Sequence, residues 1–221
     1  NAMLDSLKKS FDSFLKEEVA VNSFDKITET DFGKEVARIF NQHSDNHNAK
    51  NLDFQLFYSV KTNFSEPVLS VVNESDCGFE ILSDFEWKKV REFSPKVLAL
   101  NGPGKENGLV KDILEKVDVL YFNIDNDTDF EILKKIESGS LNKVKVGLRV
   151  YLNADGIWNR FGYDISDKNL LERIKKLDSI KKLSGFHFHF STNNFKISNY
   201  RLLLLKIKEF LDKSGKQLEF L

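Results

Sequence analysis

Along this sequence, chemically able side chains recur at the ends of short apolar runs. FYSVKTN (57–63) carries Lys61, and CGFEILS (77–83) carries Glu80 and Ser83. LALN (98–101) ends in Asn101, FNID (122–125) holds Asn123 and Asp125, and VGLRV (146–150) holds Arg149. GFHFHFSTN (185–193) brings His187 and His189, followed by Thr192 and Asn193. A lysine amine condenses with aldehydes, which makes it a Schiff-base partner. An arginine holds a carboxylate, a phosphate or the edge of a nitrogen heterocycle. A histidine at a rim stacks flat on an aromatic ring. Each residue also has a plain structural use. Lys61 can simply face solvent, Ser83 or Asp125 can cap a helix, Arg149 can pair with Glu80, and the histidines can bond to backbone. A metal centre needs Cys, Asp or further His at close spacing. The sequence supplies none, so no metal is expected.

These residues gain weight if one fold brings them together. Apolar runs at 54–60, 78–82, 96–100, 118–124, 144–151, 183–190 and 218–221 read as strands. Amphipathic stretches at 66–75, 84–93, 106–116, 127–137, 167–179 and 195–213 read as helices between them. Strand alternating with helix predicts parallel β/α units. The strands are nearly continuous in apolar character, as expected where helices cover one face and a core fills the other. His187 and His189 alternate with Phe188 and so share a strand face. A dinucleotide-type doubly wound sheet calls for a glycine fingerprint after its first strand. VKTN is not one, and NGPGKENG (101–108) lacks the ending of a phosphate loop. A (β/α)₈ barrel fits better, with its chemistry where strands end and βα loops begin. A barrel usually takes about 250 residues, and the seventh strand candidate is the last one here. Ahead of the alternation, 4–18 and 31–42 have helical spacing and 44–51 reads as a loop. The expected organisation is N-terminal helices and linker over 1–50, then a partial barrel over 51–221.

The 221 residues hold 33 Lys and Arg against 34 Asp and Glu, a net charge of -1. That balance gives no electrostatic reason to expect nucleic acid or an anionic membrane as partner. No segment approaches the roughly 20 apolar residues of a membrane span. Cys77 is the only cysteine, so no intrachain disulfide forms and a reducing, cytoplasmic setting is expected. Asn1 and Ala2 ahead of Met3 have the look of a cloning scar.

Seven segments, in order, resemble one family. FYSVKTN resembles the YAVKAN lysine motif of the fold-type III, alanine-racemase-like pyridoxal-phosphate enzymes. Its closest likeness is to the ornithine, diaminopimelate and arginine decarboxylases. CGFEILS resembles their GFDVVS segment, LALNGPGKE their NGPGK turn, and FNIDNDTDFEIL their INVDSxxEL run. VGLRVYLN resembles ALRINP, NRFGYDI resembles SKFGI, and LSGFHFHFSTN resembles GLHxHIGSQ. The resemblance implies a pyridoxal 5'-phosphate-binding α/β barrel, present as an incomplete N-terminal portion without the glycine-rich phosphate loop and the C-terminal β domain. It implies that Lys61 carries the cofactor as a Schiff base and that His189 stacks on the pyridine ring. Glu80 would be the acidic residue near the lysine and ring, Arg149 would lie by the pyridine side, and Thr192 would stand near the phosphate. Lys61 and His189 would be the catalytic pair.

The expected activity of the full-length protein is decarboxylation of a basic or related amino acid, in a homodimer, with this portion inactive by itself. The alternatives are a non-catalytic pyridoxal-phosphate-binding protein and a racemase. Alanine racemases carry KANAYGHG where this chain has KTNFSEP, which favours the decarboxylases. The chain departs from the family pattern in four places. Glu80 stands for the usual Asp, STN stands for GSQ, NRFG stands for SKFG, and the loop over 152–160 is shorter.

Overall fold

The protein is described from a computed structural model covering residues 55–75, 77–153, 159–190 and 197–221. The helices read at 4–18 and 31–42 lie outside the described residues, as do Thr192 and Asn193. Seven strands are described: β1 (Phe57–Ser59), β2 (Gly78–Ile81), β3 (Val97–Leu100), β4 (Val119–Ile124), β5 (Val144–Tyr151), β6 (Tyr163–Asp164) and β7 (Leu183–His187). Helices α1 (Glu66–Asn73), α2 (Asp84–Val90), α3 (Asn107–Lys116), α4 (Asp127–Lys134), α5 (Leu170–Asp178) and α6 (Ile197–Ser214) alternate with them. All pairings are parallel, in the order β1-β2-β3-β4-β5-β7. A doubly wound sheet reverses its strand order partway, and this one does not.

The period-two alternation of each strand explains the layering. One set of residues (Phe79, Ile81, Leu98, Leu100, Leu120, Phe122, Ile124, Val146, Leu148 and Phe186) is at most 1% exposed and forms the core. The helices contribute Leu69, Val72, Trp87, Val90, Ile113, Leu133, Ile174, Leu177, Leu203 and Ile207 to the same core. Burying each such side chain stabilises by about 1.5–3 kcal/mol. This layer is what the near-continuous apolar runs encode.

The other face is concave, and three aromatic rings establish that. Tyr121 on β4 meets Phe57 on β1 with ring centroids 5.3 Å apart, and meets Phe220 at 5.0 Å. β1 lies three strand spacings from β4, about 14 Å in a flat sheet. Phe220 bridges to Gly185 on the far side of β7, three spacings away in the other direction. One ring reaches both only if the sheet curls strongly around it. Two glycines admit the close approach. A Cβ on Gly147 would stand 1.8 Å from Asn123 Oδ1, and one on Gly185 2.5 Å from the Phe220 carbonyl oxygen.

The strands fall inside or beside the ranges read from sequence, with three differences. β1 is shorter than 54–60, because Val60–Thr62 turns into a 3-10 helix. Lys61 therefore stands on a turn beyond the strand. The segment 218–221 contributes one bridge at Phe220, supported by Glu219 N–H donating to the Ser184 carbonyl at 2.6 Å. β6 falls outside the ranges read as strands. It is two residues long and pairs only with the last two residues of β5.

Candidate functional site

Because the strands are all parallel, their carboxyl ends share one edge, and the concave face becomes polar toward it. A hydrogen-bonded ladder crosses three strands and the residue after β3. Ser59 on β1 donates its hydroxyl to Glu80 Oε2, and the two residues are partners in the register. Asn101, just past β3, donates Nδ2 to Glu80 Oε1 at 2.9 Å. Asn123 on β4 donates Nδ2 to Asn101 Oδ1 at 2.7 Å. The carboxylate sets the direction, so both amides aim their donors toward Glu80. The last acceptor, Asn123 Oδ1, is buried, lies over Gly147 and has no partner among the described residues.

Beside the ladder lies a charge group. Arg149 on β5 donates Nη1 to Asp125 Oδ1 at 2.9 Å, and its guanidinium sits 5.2 Å from the Phe161 ring centre. The other Asp125 oxygen faces Lys105 Nζ at 3.1 Å, and Lys105 also reaches Asp129 Oδ2 at 2.8 Å. Asp129 Oδ2 in turn accepts from the Asp125 backbone N–H at 2.8 Å. Burial raises the Asp129 pKa, and Lys105 is the chief opposing influence. A cleft of about 360 Å³ opens alongside, between Asp125, Tyr163 and Arg173. Its Asp127 is already held by Tyr163 Oη at 2.8 Å and Arg173 Nη1 at 2.6 Å.

The histidines differ from each other. β7 ends at His187, which is the register partner of Arg149. Burial first, and then the Arg149 charge, hold the His187 pKa down at about 3, so its ring is neutral at ordinary pH. Its Nδ1 is buried and has no hydrogen-bond partner among the described residues. His189 lies beyond the strand and is exposed. Its pKa is also lowered, by desolvation, then by Lys61 and Arg149, with Glu80 opposing. Those influences put His189 within electrostatic reach of Lys61, Arg149 and Glu80. Four of the five residues singled out from sequence thus gather at one edge, and Thr192 lies outside the described residues.

The structure corrects several smaller expectations. Arg149 pairs with Asp125 and not with Glu80. β2 lies three strands from β5, whereas β4 is its neighbour. Ser83 does cap a helix, accepting from the Glu86 backbone N–H at the start of α2. Asp125 caps none. The next residue, Asn126, caps α4 by accepting from the backbone N–H groups of Thr128 and Asp129. The two histidines do not share one strand, since pairing stops at His187. Lys105 and Asp129 were missed. NGPGK reads from sequence only as a phosphate-loop candidate and as a family-like turn, whereas in the fold the Lys105 ammonium turns inward to the Gly102 carbonyl and the two carboxylates. Glu86 was missed too. Its carboxyl accepts from the Leu82 N–H at 2.5 Å, and its pKa is raised by burial.

A curved parallel sheet, wrapped by helices and carrying a lysine, a histidine, an arginine and a carboxylate at its carboxyl edge, is the layout of the alanine-racemase-like cofactor-binding domains. The chain belongs to the fold-type III pyridoxal-dependent decarboxylases: residues 36–220 match the family described as "Pyridoxal-dependent decarboxylase, pyridoxal binding domain". It is similar to a diaminopimelate decarboxylase of Campylobacter jejuni, 26% identical over 156 residues, covering 65% of this chain and 39% of that one. A diaminopimelate decarboxylase of Aquifex aeolicus is 24% identical over 185 residues, covering 76% and 44%. The chain spans less than half the length of the curated relatives it matches. Among solved structures, the diaminopimelate decarboxylase of M. jannaschii in complex with L-lysine has a TM-score of 0.64 at 16% identity, covering 85% of this chain and 46% of that one. The lysine/ornithine decarboxylase of Vibrio vulnificus complexed with cadaverine has a TM-score of 0.59 at 16% identity, covering 91% and 52%. At these identities the structural likeness speaks for the fold alone.

Proposed function

We propose that this chain is the cofactor-binding portion of a pyridoxal-phosphate-dependent decarboxylase acting on a basic amino acid of the diaminopimelate, lysine, ornithine or arginine kind. The observation that carries the reading is the meeting of Lys61, Glu80, Arg149 and His189 at one edge of the sheet. The surroundings fit an anionic aromatic cofactor. Lys61 and Arg149 supply positive charge, and His187 presents a buried nitrogen with no hydrogen-bond partner among the described residues.

In this reading Lys61 would hold the cofactor through its amine. His189, its proton affinity lowered by desolvation and by Lys61, offers a neutral ring to stack on the pyridine. Arg149, paired with Asp125, would lie by the pyridine side. Glu80 is held at both oxygens, by Ser59 and Asn101, so its position near the lysine is set before anything binds. Thr192 serves the phosphate. When bound, pyridoxal phosphate supplies an electron sink for the electrons left as the substrate loses carbon dioxide. Desolvation of the site strengthens each of these charge interactions. A closed barrel, a homodimer and a cytoplasmic setting belong to the same proposal. The single cysteine fits a reducing compartment. Among the described residues no helix is long and apolar enough to cross a membrane.

The test is carbon dioxide release by the full-length protein with pyridoxal phosphate, offered diaminopimelate, lysine, ornithine and arginine in turn. Release from one of them, abolished by Lys61→Ala, is expected. Cofactor binding without release from any would leave a binding protein in place of an enzyme.

A further inference from the structure

We infer that Lys105 is a positioning residue: acting through Asp125, it fixes the Arg149 guanidinium at the candidate cofactor site, with Asp129 balancing the charge. The inference rests on the reading of that site given above.

Lys105, Asp125 and Asp129 have side chains 0–1% exposed, and Arg149 is 14% exposed. The group holds two cations and two carboxylates. The Lys105 ammonium has three N–H donors. The Gly102 carbonyl, Asp125 Oδ2 and Asp129 Oδ2 accept them. Nothing remains for a cofactor or substrate, so Lys105 does not compete with Lys61. Its ammonium also lies 5.5 Å from the Phe122 ring centre, on the side facing the core.

The two oxygens of Asp125 are divided. Oδ1 takes Arg149 and Oδ2 takes Lys105. A carboxylate gripped on both oxygens cannot rotate, and the arginine bound to it cannot swing. Without the Lys105 charge, Oδ2 loses its partner and two buried carboxylates face one cation. Burial already raises the Asp129 pKa against the opposing Lys105 charge, and removing that charge acts in the same direction.

Stability alone is a weak reason for such a group. Buried ion pairs are often no more stabilising than apolar residues of the same volume, while removing one member costs far more than the pair contributes. The placement of the group against Arg149 supplies a reason the energetics do not.

The test uses the full-length protein in four forms: wild type, Lys105→Gln, Asp129→Asn and the double variant. Pyridoxal phosphate affinity and the absorbance spectrum of the bound cofactor are measured on folded, monodisperse protein. Lys105→Gln is expected to weaken cofactor binding about tenfold or more and to shift the absorbance band. The double variant restores charge balance without the Lys105 grip on Asp125 Oδ2 and is expected to recover part of that loss, binding between Lys105→Gln and wild type. Unchanged affinity and spectrum in Lys105→Gln, with only a lower melting temperature, would overturn the inference and make Lys105 purely structural. If Lys105→Gln does not fold, the double variant decides: folded protein that fails to bind contradicts the charge-balance reasoning. Wild-type protein that takes no cofactor at Lys61 would instead overturn the functional reading, and the inference with it.

Discussion

Adding one methyl group at Gly147 should break the polar ladder that holds Glu80. An ideal Cβ there stands 1.8 Å from Asn123 Oδ1 and 3.0 Å from the nearest atom of the Phe220 ring. Real Cβ atoms do not tolerate the first distance, so Asn123 must move. Its side chain is short and buried, and moving it breaks the 2.7 Å bond to Asn101. Overpacking a tight core costs about 1–3 kcal/mol. Leaving a buried amide unpaired costs about 1–3 kcal/mol more. Gly147→Ala is therefore expected to destabilise by roughly 2–6 kcal/mol in urea unfolding. Shortening the obstructing side chain separates the mechanism from a general packing defect. In an Asn123→Ser background the Gly147→Ala change should cost at most half as much, a coupling on the order of 1–3 kcal/mol. A single-variant cost below about 0.5 kcal/mol, or equal costs in both backgrounds, would refute the reasoning. Because the ladder ends on Glu80, the same variant should also weaken cofactor binding in the full-length protein.

His187 makes stability depend on pH. The unfolded imidazole takes its proton near pH 6.5 and the folded one near 3. Between those values the unfolded state binds more protons, so stability falls as pH falls, and above about 6.5 the contribution vanishes. From pH 7 to pH 5 wild type should lose about 2 kcal/mol that His187→Asn does not lose. Matched urea midpoints at both pH values check this, and parallel curves would contradict it. Ser83→Ala removes the cap of α2 and should cost about 1 kcal/mol in the same assay.

Much of the fold was legible because the signals are local. Runs such as VLYFNI and VKVGLRVY are long and apolar, and the helices between them carry one apolar stripe each. The gathering of Lys61, Glu80, Arg149 and His189 followed from a topological rule, that parallel strands end on one edge. What escaped depends on which strands are neighbours. Arg149 chooses Asp125 because β4 lies beside β5, and no spacing in the sequence says so. Lys105 follows a Gly-Pro-Gly turn that brings its ammonium inward onto Asp125 and Asp129, and no local pattern announces that. Asn126 caps α4 in place of Asp125 because β4 runs to Ile124 and the Asp125 side chain is already committed to the two cations.

The most direct measurement is borohydride trapping. The full-length protein is incubated with pyridoxal phosphate, reduced, digested and mapped by mass spectrometry. One label per chain, on Lys61 and not on the fully engaged Lys105, is the expected result. Label scattered over surface lysines, or absent, would contradict the assignment of this edge as a cofactor site.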